Sequence, residues 1–239
     1  MKIAYIDIQN FRRLKNCRIN FSEKETVFVG ANNSGKTTAM DALILFFKNK
    51  TTFTTRDFTL SNWTQINLIG ESWIKSANKD DIDLSIQKWE ELLPSIDVWL
   101  DVNPNEIHYV KHLIPTLDWD GGSLGVRLRY EPTNLEELYK EFTSIFKNSK
   151  SLSLIQNTKE DGKGKSKVKE LNLWPKDMWD FLDKNPNKFF TIKTYLLDPS
   201  KKDSTQKLTE DNLPIETNAF SGLIKIDIIN AQRGFSDVN

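Results

Sequence analysis

The sequence has almost no cysteine: Cys17 is the single one among 239 residues. One cysteine cannot form a disulfide within the chain, which excludes disulfide-stapled secreted folds and fits a reducing compartment. Long apolar runs are also lacking, since none approaches the ~20 residues needed to span a bilayer. Lys2 and Asp7 place charges where a signal peptide needs an apolar core. We therefore expect a cytoplasmic protein with no membrane partner.

An excess of charge of either sign is absent as well. Lys plus Arg and Asp plus Glu both number 33, so the formal net charge is zero. No global basic field attracts nucleic acid, and any contact with DNA must come from local patches. At 239 residues and 38% hydrophobic content, the chain can bury a substantial core as one large or two small domains.

Residues 30–37 read Gly-Ala-Asn-Asn-Ser-Gly-Lys-Thr and match the P-loop pattern G-x-x-x-x-G-K-S/T. Residues 26–29 before the loop predict a short buried strand, and apolar residues after it predict a helix through Phe47. A helix that begins at the loop directs its positive dipole end toward a bound anion. The alternative, a chance match in an ordinary strand-to-helix turn, is disfavoured by this context.

The P-loop pattern assigns a role to each of its residues. Its glycines let backbone N–H groups face phosphate oxygens. Lys36 is predicted to act in catalysis at the β- and γ-phosphates of ATP, and Thr37 to bind Mg²⁺. The predicted nucleotide contacts are Gly30, Asn32, Asn33, Ser34, Gly35, Lys36, Thr37 and Thr38.

The motifs around the loop resemble a known family. An N-F-R sequence at residues 10–12 follows a first predicted strand over residues 2–8, and a second strand over residues 17–21 precedes the loop. Together with the P-loop and the following Asp41-Ala42, these motifs resemble the ABC-class ATPase heads of the SMC and RecF group. Within that group the chain looks most like the OLD (overcoming lysogenization defect) ATP-dependent nucleases. The specific match covers about the first fifty residues, and Asn33 stands where the family loop commonly has Gly.

The resemblance implies an α/β P-loop NTPase of ABC-ATPase type, with a mixed sheet, antiparallel N-terminal strands and an incomplete C-terminus. It places Arg12 near the nucleotide, whereas Phe11 either packs or lies near the nucleotide. We expect residues 1–239 to be the N-terminal portion of one such domain, with an insertion-rich region at about 104–215 and a mobile loop at 158–170. Strands are predicted over residues 95–102, 124–130, 188–197 and 222–229, and a helix over residues 134–146.

Gln232 follows the last predicted strand and precedes a glycine. That placement resembles the Q-loop of ABC ATPases, which implies that Gln232 takes part in catalysis and contacts Mg²⁺. The alternative is a simple polar turn between a strand and a helix.

The remaining charged residues and histidines are assigned mainly to surface or structural roles. The basic cluster of Arg12, Arg13, Lys15 and Arg18 is assigned to ATP before DNA. His108 and His112 are interpreted as a solvated or packed pair, Asp57-Phe58 as structural, and the D-x-D sequences at 81–83 and 118–120 as turn or surface carboxylates. The lysine run at 159–169 is interpreted as a solvated loop, with a phosphate-gripping loop as the alternative.

Two motifs of a complete ABC ATPase are not found: a Walker B strand ending in Asp-Glu and an L-S-G-G-Q-like signature. We therefore expect the N-terminal part of a longer ATPase and leave its enzymatic activity open.

Our hypothesis is that the chain is the ATP-binding segment of an OLD-like DNA nuclease in DNA processing or phage defence. In the full-length protein it would form a homodimer through its heads and engage DNA. A different class of function is a nucleotide-gated sensor that controls a separate effector chain. A third hypothesis is a small P-loop kinase or transferase, but the sequence offers no identifiable site for a phosphate-accepting substrate.

Overall fold

The computed structural model describes residues 1–48, 52–76, 82–159, 173–209, 212–216 and 219–227. Its strands are β1 (Lys2–Phe11), β2 (Leu14–Asn20), β3 (Ser95–Val102), β4 (Gly122–Pro132) and β5 (Phe190–Leu197). Its α-helices are α1 (Lys36–Phe47), α2 (Trp63–Lys75), α3 (Gln87–Glu90), α4 (Leu135–Lys159), α5 (Met178–Asp183) and α6 (Pro186–Phe189). Short 3₁₀ helices span Thr55–Asp57, Leu60–Asn62, Pro104–Leu113 and Pro199–Lys201.

The five strands form one sheet in the order β2-β1-β3-β4-β5, and every neighbouring pair is antiparallel. The strands predicted over residues 95–102, 124–130 and 188–197 are confirmed as β3, β4 and β5. Phe11 pairs with Leu14, so β1 and β2 form a hairpin whose turn is Arg12-Arg13. The break between these two strands is therefore shorter than the sequence indicates.

One face of the sheet is apolar and packs against the helices. Ile6 and Ile8 of β1 and Val98 of β3 are fully buried, as the two-residue period of a strand requires for one face. Helix α1 packs against this face through Phe46, whose ring centroid lies 6.5 Å from that of Phe11. This packing fixes α1, and hence the loop that precedes it, against the β1–β2 hairpin.

The opposite face is polar, and one row of side chains crosses all five strands. The row consists of Arg18, Asp7, Asp97, Arg127 and Tyr195, in the order of the strands. Arg127 donates to Asp97 from Nε at 2.6 Å and from Nη2 at 2.7 Å, with both side chains nearly fully buried. Burial raises the pKa of the Asp97 carboxyl although Arg127 opposes the shift.

The chain that follows β5 covers this polar face. Leu208 packs against Trp99 and Tyr195, and the hydroxyl of Tyr5 donates to the carbonyl oxygen of Lys202. The backbone N–H of Leu208 also donates to Glu90 at 2.7 Å. Charged residues in the strands are therefore buried by a segment far away in sequence. No helix in the described part of the chain is long and apolar enough to cross a bilayer.

Two predicted strands are wrong where the structure describes them. Residues 26–29 form no strand, and Val27 and Val29 are 69% and 88% exposed. Their β-branched and aromatic residues supply propensity, but a strand also needs a partner strand, and residues 26–29 pair with no strand of the described sheet. Residues 222–227 form a turn at Gly222 followed by irregular chain, with the N–H groups of Leu223 and Ile224 donating to Phe220.

Candidate functional site

The P-loop turns sharply before α1, and two residues adopt the left-handed backbone that the turn requires. Gly35, which precedes the helix, has φ +89°, and Asn33 has φ +67°. Glycine enters this region without penalty, and asparagine enters it more readily than most other residues. The Asn that replaces the common Gly is therefore accommodated, and α1 begins at Lys36 as the sequence predicts.

The first turn of α1 is open to an anion. Gly35 provides no side-chain cap, and no acidic residue lies in this turn. The N–H groups of a first helical turn have no partner within the helix, so they are available to a ligand. A surface cavity of about 290 Å³ in front of them is lined by the seven residues 32–38.

Lys36 bends back over the loop that carries it. Its ammonium donates to the carbonyl oxygens of Gly30 at 2.5 Å and Ala31 at 2.6 Å, and to the hydroxyl of Ser34 at 3.1 Å. These three acceptors are uncharged, so the cation has no carboxylate among these contacts. An incoming phosphate would offer it charged oxygens, which form stronger hydrogen bonds.

The structure places the predicted loop residues together. Residues 32–38 line one cavity, and Gly30 contributes a carbonyl oxygen to Lys36. Thr37 is exposed in the first turn of α1. Their roles in binding ATP and Mg²⁺ stay predictions.

Arg12 at the hairpin turn is held by two carboxylates. Its Nε donates to Asp57 at 2.9 Å, and its Nη1 donates to Asp41 of α1. Burial alone would lower the pKa of this guanidinium, but the hydrogen bonds to both carboxylates raise it on balance. Arg12 therefore joins the hairpin to α1 and to the 3₁₀ helix that ends at Asp57. The predicted contact of Arg12 with the nucleotide stays a prediction.

Asp57 and Phe58 have the structural role that the sequence predicts. The Asp57 carboxylate also accepts hydrogen bonds from the backbone N–H of Thr54 at 2.8 Å and from its hydroxyl at 3.0 Å. Phe58 is buried and forms an isolated bridge with Phe11. Phe11 itself is fully buried, which supports the packing alternative for this residue.

Arg13 contacts the P-loop, a role that the sequence indicated only through its membership of a basic cluster. Its Nη1 donates to the Asn33 side-chain oxygen at 2.7 Å. The next residue, Leu14, also lies against the loop, since a methyl group added at Gly35 would sit 3.4 Å from its Cδ2. Arg18 of the same cluster instead pairs with Asp7 on the polar face of the sheet.

Gln232 and residues 230–234 lie outside the described residues, as does most of the polar run at 158–170. His112 Nε2 lies 3.0 Å from the carbonyl oxygen of Ala219, and the ring of His108 packs against Tyr109. Across the described ranges, no group of three His, Cys, Asp or Glu side chains is placed to hold a metal ion.

The carboxylates of the two D-x-D sequences belong to turns or to the exposed surface, as predicted, apart from Asp81, which lies outside the described residues. Hydrogen bonds from Ser85 and the nearby Lys88 lower the pKa of Asp83 to about 2. Asp118 is exposed in a turn, and Asp120 is exposed just before β4.

Similarity to known proteins includes a curated relative and a solved structure. The DNA replication and repair protein RecF of Clostridioides difficile (strain 630) is 28% identical over an alignment of 126 residues that covers 46% of this chain and 34% of RecF. The matched stretch thus spans about a third of that relative. A solved structure from work on ATP-driven dimerization and DNA-stimulated activation of SMC ATPases aligns with 56% of this chain and 66% of its own, at 15% identity and a TM-score of 0.31. That TM-score is too low to support a conclusion about this chain.

A match to a protein-family model covers more of the chain than either of these similarities. The family described as AAA ATPase domain matches residues 1–239, the whole chain. This match agrees with a P-loop that opens a helix and with an antiparallel sheet packed on helices. It confirms the predicted fold class, a P-loop NTPase of ABC-ATPase type. The chain therefore belongs to the AAA ATPase domain family.

Proposed function

We propose that residues 30–38 bind Mg²⁺–ATP. The observation that carries this proposal is the Lys36 ammonium, which is held by neutral loop oxygens at an uncapped helix N-terminus. A polyphosphate would give this cation charged acceptors and would face the positive end of the helix dipole. The residues present therefore fit a nucleotide's phosphates.

Two further contacts complete the proposed site. Thr37, at the start of α1, would hold Mg²⁺ through its hydroxyl. The Q-loop resemblance supports Gln232 as a second contact to the metal and to the attacking water. Bound Mg²⁺ would neutralise charge on the phosphate oxygens. The chain's own contribution is to orient the phosphates through the loop N–H groups and Lys36.

The test is a titration of the full 239-residue chain with ATP in the presence of Mg²⁺. Lys36→Ala should weaken binding by about 10- to 100-fold, because hydrogen bonds between charged groups are lost. Lys24→Ala removes the same charge from an exposed turn before the loop and serves as the matched control. Equal affinities of wild type and Lys36→Ala would refute the assignment. Thr37→Ala should lose the gain in affinity that Mg²⁺ provides over binding in EDTA.

We further propose that the chain is the ATP-binding segment of an OLD-like ATP-dependent DNA nuclease in DNA processing or phage defence, acting as a homodimer of ATPase heads. The N-F-R and P-loop resemblance, the family match and the partial similarity to RecF support this proposal. The nuclease centre would lie outside the described residues. The alternative, a nucleotide-gated sensor for a separate effector chain, needs the same nucleotide site and no nuclease centre.

Plasmid DNA, Mg²⁺ and ATP added to the full-length protein would separate these two functions. DNA cleavage that requires ATP and disappears in Lys36→Ala supports the nuclease. ATP hydrolysis without DNA cleavage supports the sensor. Absence of both activities, together with wild-type nucleotide binding, would contradict the nuclease proposal.

A further inference from the structure

The tip of the β1–β2 hairpin lies directly against the P-loop. Leu14 contacts the position where a side chain on Gly35 would begin, and Arg13 donates to Asn33 at 2.7 Å. Asn33 lines the cavity in front of α1. The hairpin therefore brings a guanidinium to the rim of the site from a second part of the chain.

The two consecutive arginines of the turn differ in how freely they can change partners. Arg12 neutralises Asp57, whose side chain is only 4% exposed, and also Asp41. Withdrawing Arg12 would leave a buried carboxylate without its cation, which is strongly unfavourable. Arg13 is exposed, and the acceptor of its hydrogen bond is a neutral amide. Exchanging that amide for a phosphate oxygen gains a charge-assisted bond and leaves no charge buried.

We propose that Arg13 is a nucleotide-contacting residue whose guanidinium leaves Asn33 and pairs with the polyphosphate on the hairpin side of the P-loop. This inference rests on the proposed binding of ATP by residues 30–38. It assigns the phosphate contact of the hairpin to the second arginine of the turn, while Arg12 keeps the hairpin, α1 and the 3₁₀ helix together. Guanidinium suits this task because its planar fork matches two phosphate oxygens at once.

The first measurement is the affinity of the full chain for Mg²⁺–ATP. Arg13→Ala should weaken binding by about 10- to 100-fold, and Arg13→Lys should recover part of the loss because it keeps the charge and loses the fork. Lys24→Ala removes a positive charge from the exposed turn that follows β2 and should change affinity less than about twofold. An Arg13→Ala affinity equal to that of Lys24→Ala would overturn the proposal.

A second measurement separates direct contact from a structural role through Asn33. Asn33→Gly removes the amide partner and suits the left-handed backbone at that position. If Arg13 contacts the nucleotide, Arg13→Ala still weakens binding in the Asn33→Gly background. If Arg13 acts only by holding Asn33, the two single changes weaken binding alike and the double change adds nothing, which would refute the proposal.

The two proposals fail in distinguishable ways. If Lys36→Ala binds ATP as wild type does, the nucleotide site itself is wrong. If Lys36→Ala loses binding while Arg13→Ala retains it, only the role of Arg13 is wrong. Thermal unfolding of the nucleotide-free variants should match wild type, since Arg13 is exposed.

Discussion

Removal of Asp97 should destabilise the fold by about 3 kcal/mol. In Asp97→Ala the Arg127 guanidinium, 3% exposed, loses two hydrogen bonds of 2.6 and 2.7 Å. Breaking a buried ion pair by removing one partner costs about 3–5 kcal/mol. Glu90 still faces Arg127, with an oxygen 3.7 Å from Nη1, so the cost should lie at the lower end of that range.

The opposite change, Arg127→Met, should cost more near neutral pH and make stability depend on pH. It leaves the Asp97 carboxyl with a weak hydrogen bond from Gln9 at 3.3 Å and with Asp7 directly opposite. Burial already raises the pKa of Asp97, and loss of the cation raises it further. Because the folded pKa then exceeds the unfolded one, the folded state binds more protons between the two values. Stability of this variant should therefore rise as the pH falls through the raised folded pKa of Asp97 toward the unfolded one.

Urea unfolding followed by circular dichroism provides the assay, with thermal unfolding beside it. A loss of about 3 kcal/mol corresponds to a fall of about 6–12 °C in Tm for a chain of this size. Asp101→Ala, at an exposed position of the same strand, should change stability by less than about 0.5 kcal/mol. The double variant Asp97→Ala/Arg127→Met should cost less than the sum of its single changes, because it leaves neither charge unpaired. A cost below about 1 kcal/mol for either single change, or strict additivity, would refute the reasoning.

Two further predictions concern β2 and β4. Burial raises the pKa of the Cys17 thiol. Alkylation of this single cysteine by iodoacetamide should therefore reach half its maximal rate at a higher pH in the folded chain than in urea. An equal or lower midpoint in the folded chain would contradict this prediction. A methyl group added at Gly125 would lie 2.7 Å from the ring of Trp99, so Gly125→Ala should cost about 1–3 kcal/mol in urea unfolding. Ser123→Ala, two residues earlier on the same face, should leave stability nearly unchanged, and equal stability of both variants would exclude the clash.

The sequence predicts best those features that depend on near neighbours in the chain. The P-loop pattern anticipates the turn at Gly35 and the start of α1 at Lys36, because both depend on backbone preferences within a few residues. Alternating apolar residues likewise predict β3 over its whole length. The Asp57-Phe58 pair is also correctly assigned a structural role, on its resemblance to a segment that follows the P-loop helix in OLD-type proteins.

The features that the sequence misjudged depend on partners distant in the chain. Residues 26–29 have the composition of a buried strand, yet no strand forms there and Val29 is 88% exposed. The burial of the Asp97–Arg127 pair also cannot be predicted from neighbouring residues in the sequence. Thirty residues separate its two members, and the segment that covers the pair follows β5. Burial of a charge is decided by what packs over it, which periodicity does not report.

The sequence alone determined the nucleotide loop, because glycine, lysine and threonine at fixed spacing specify a backbone turn and its chemistry within eight residues. Only the tertiary structure decided what each arginine of the hairpin contacts. Arg12 and Arg13 are adjacent and chemically identical, but the fold places two carboxylates against the first and one amide of the P-loop against the second. The physical reason is that a guanidinium in charge-assisted bonds to a buried carboxylate is held in place, whereas one bonded to a neutral amide can move to a phosphate.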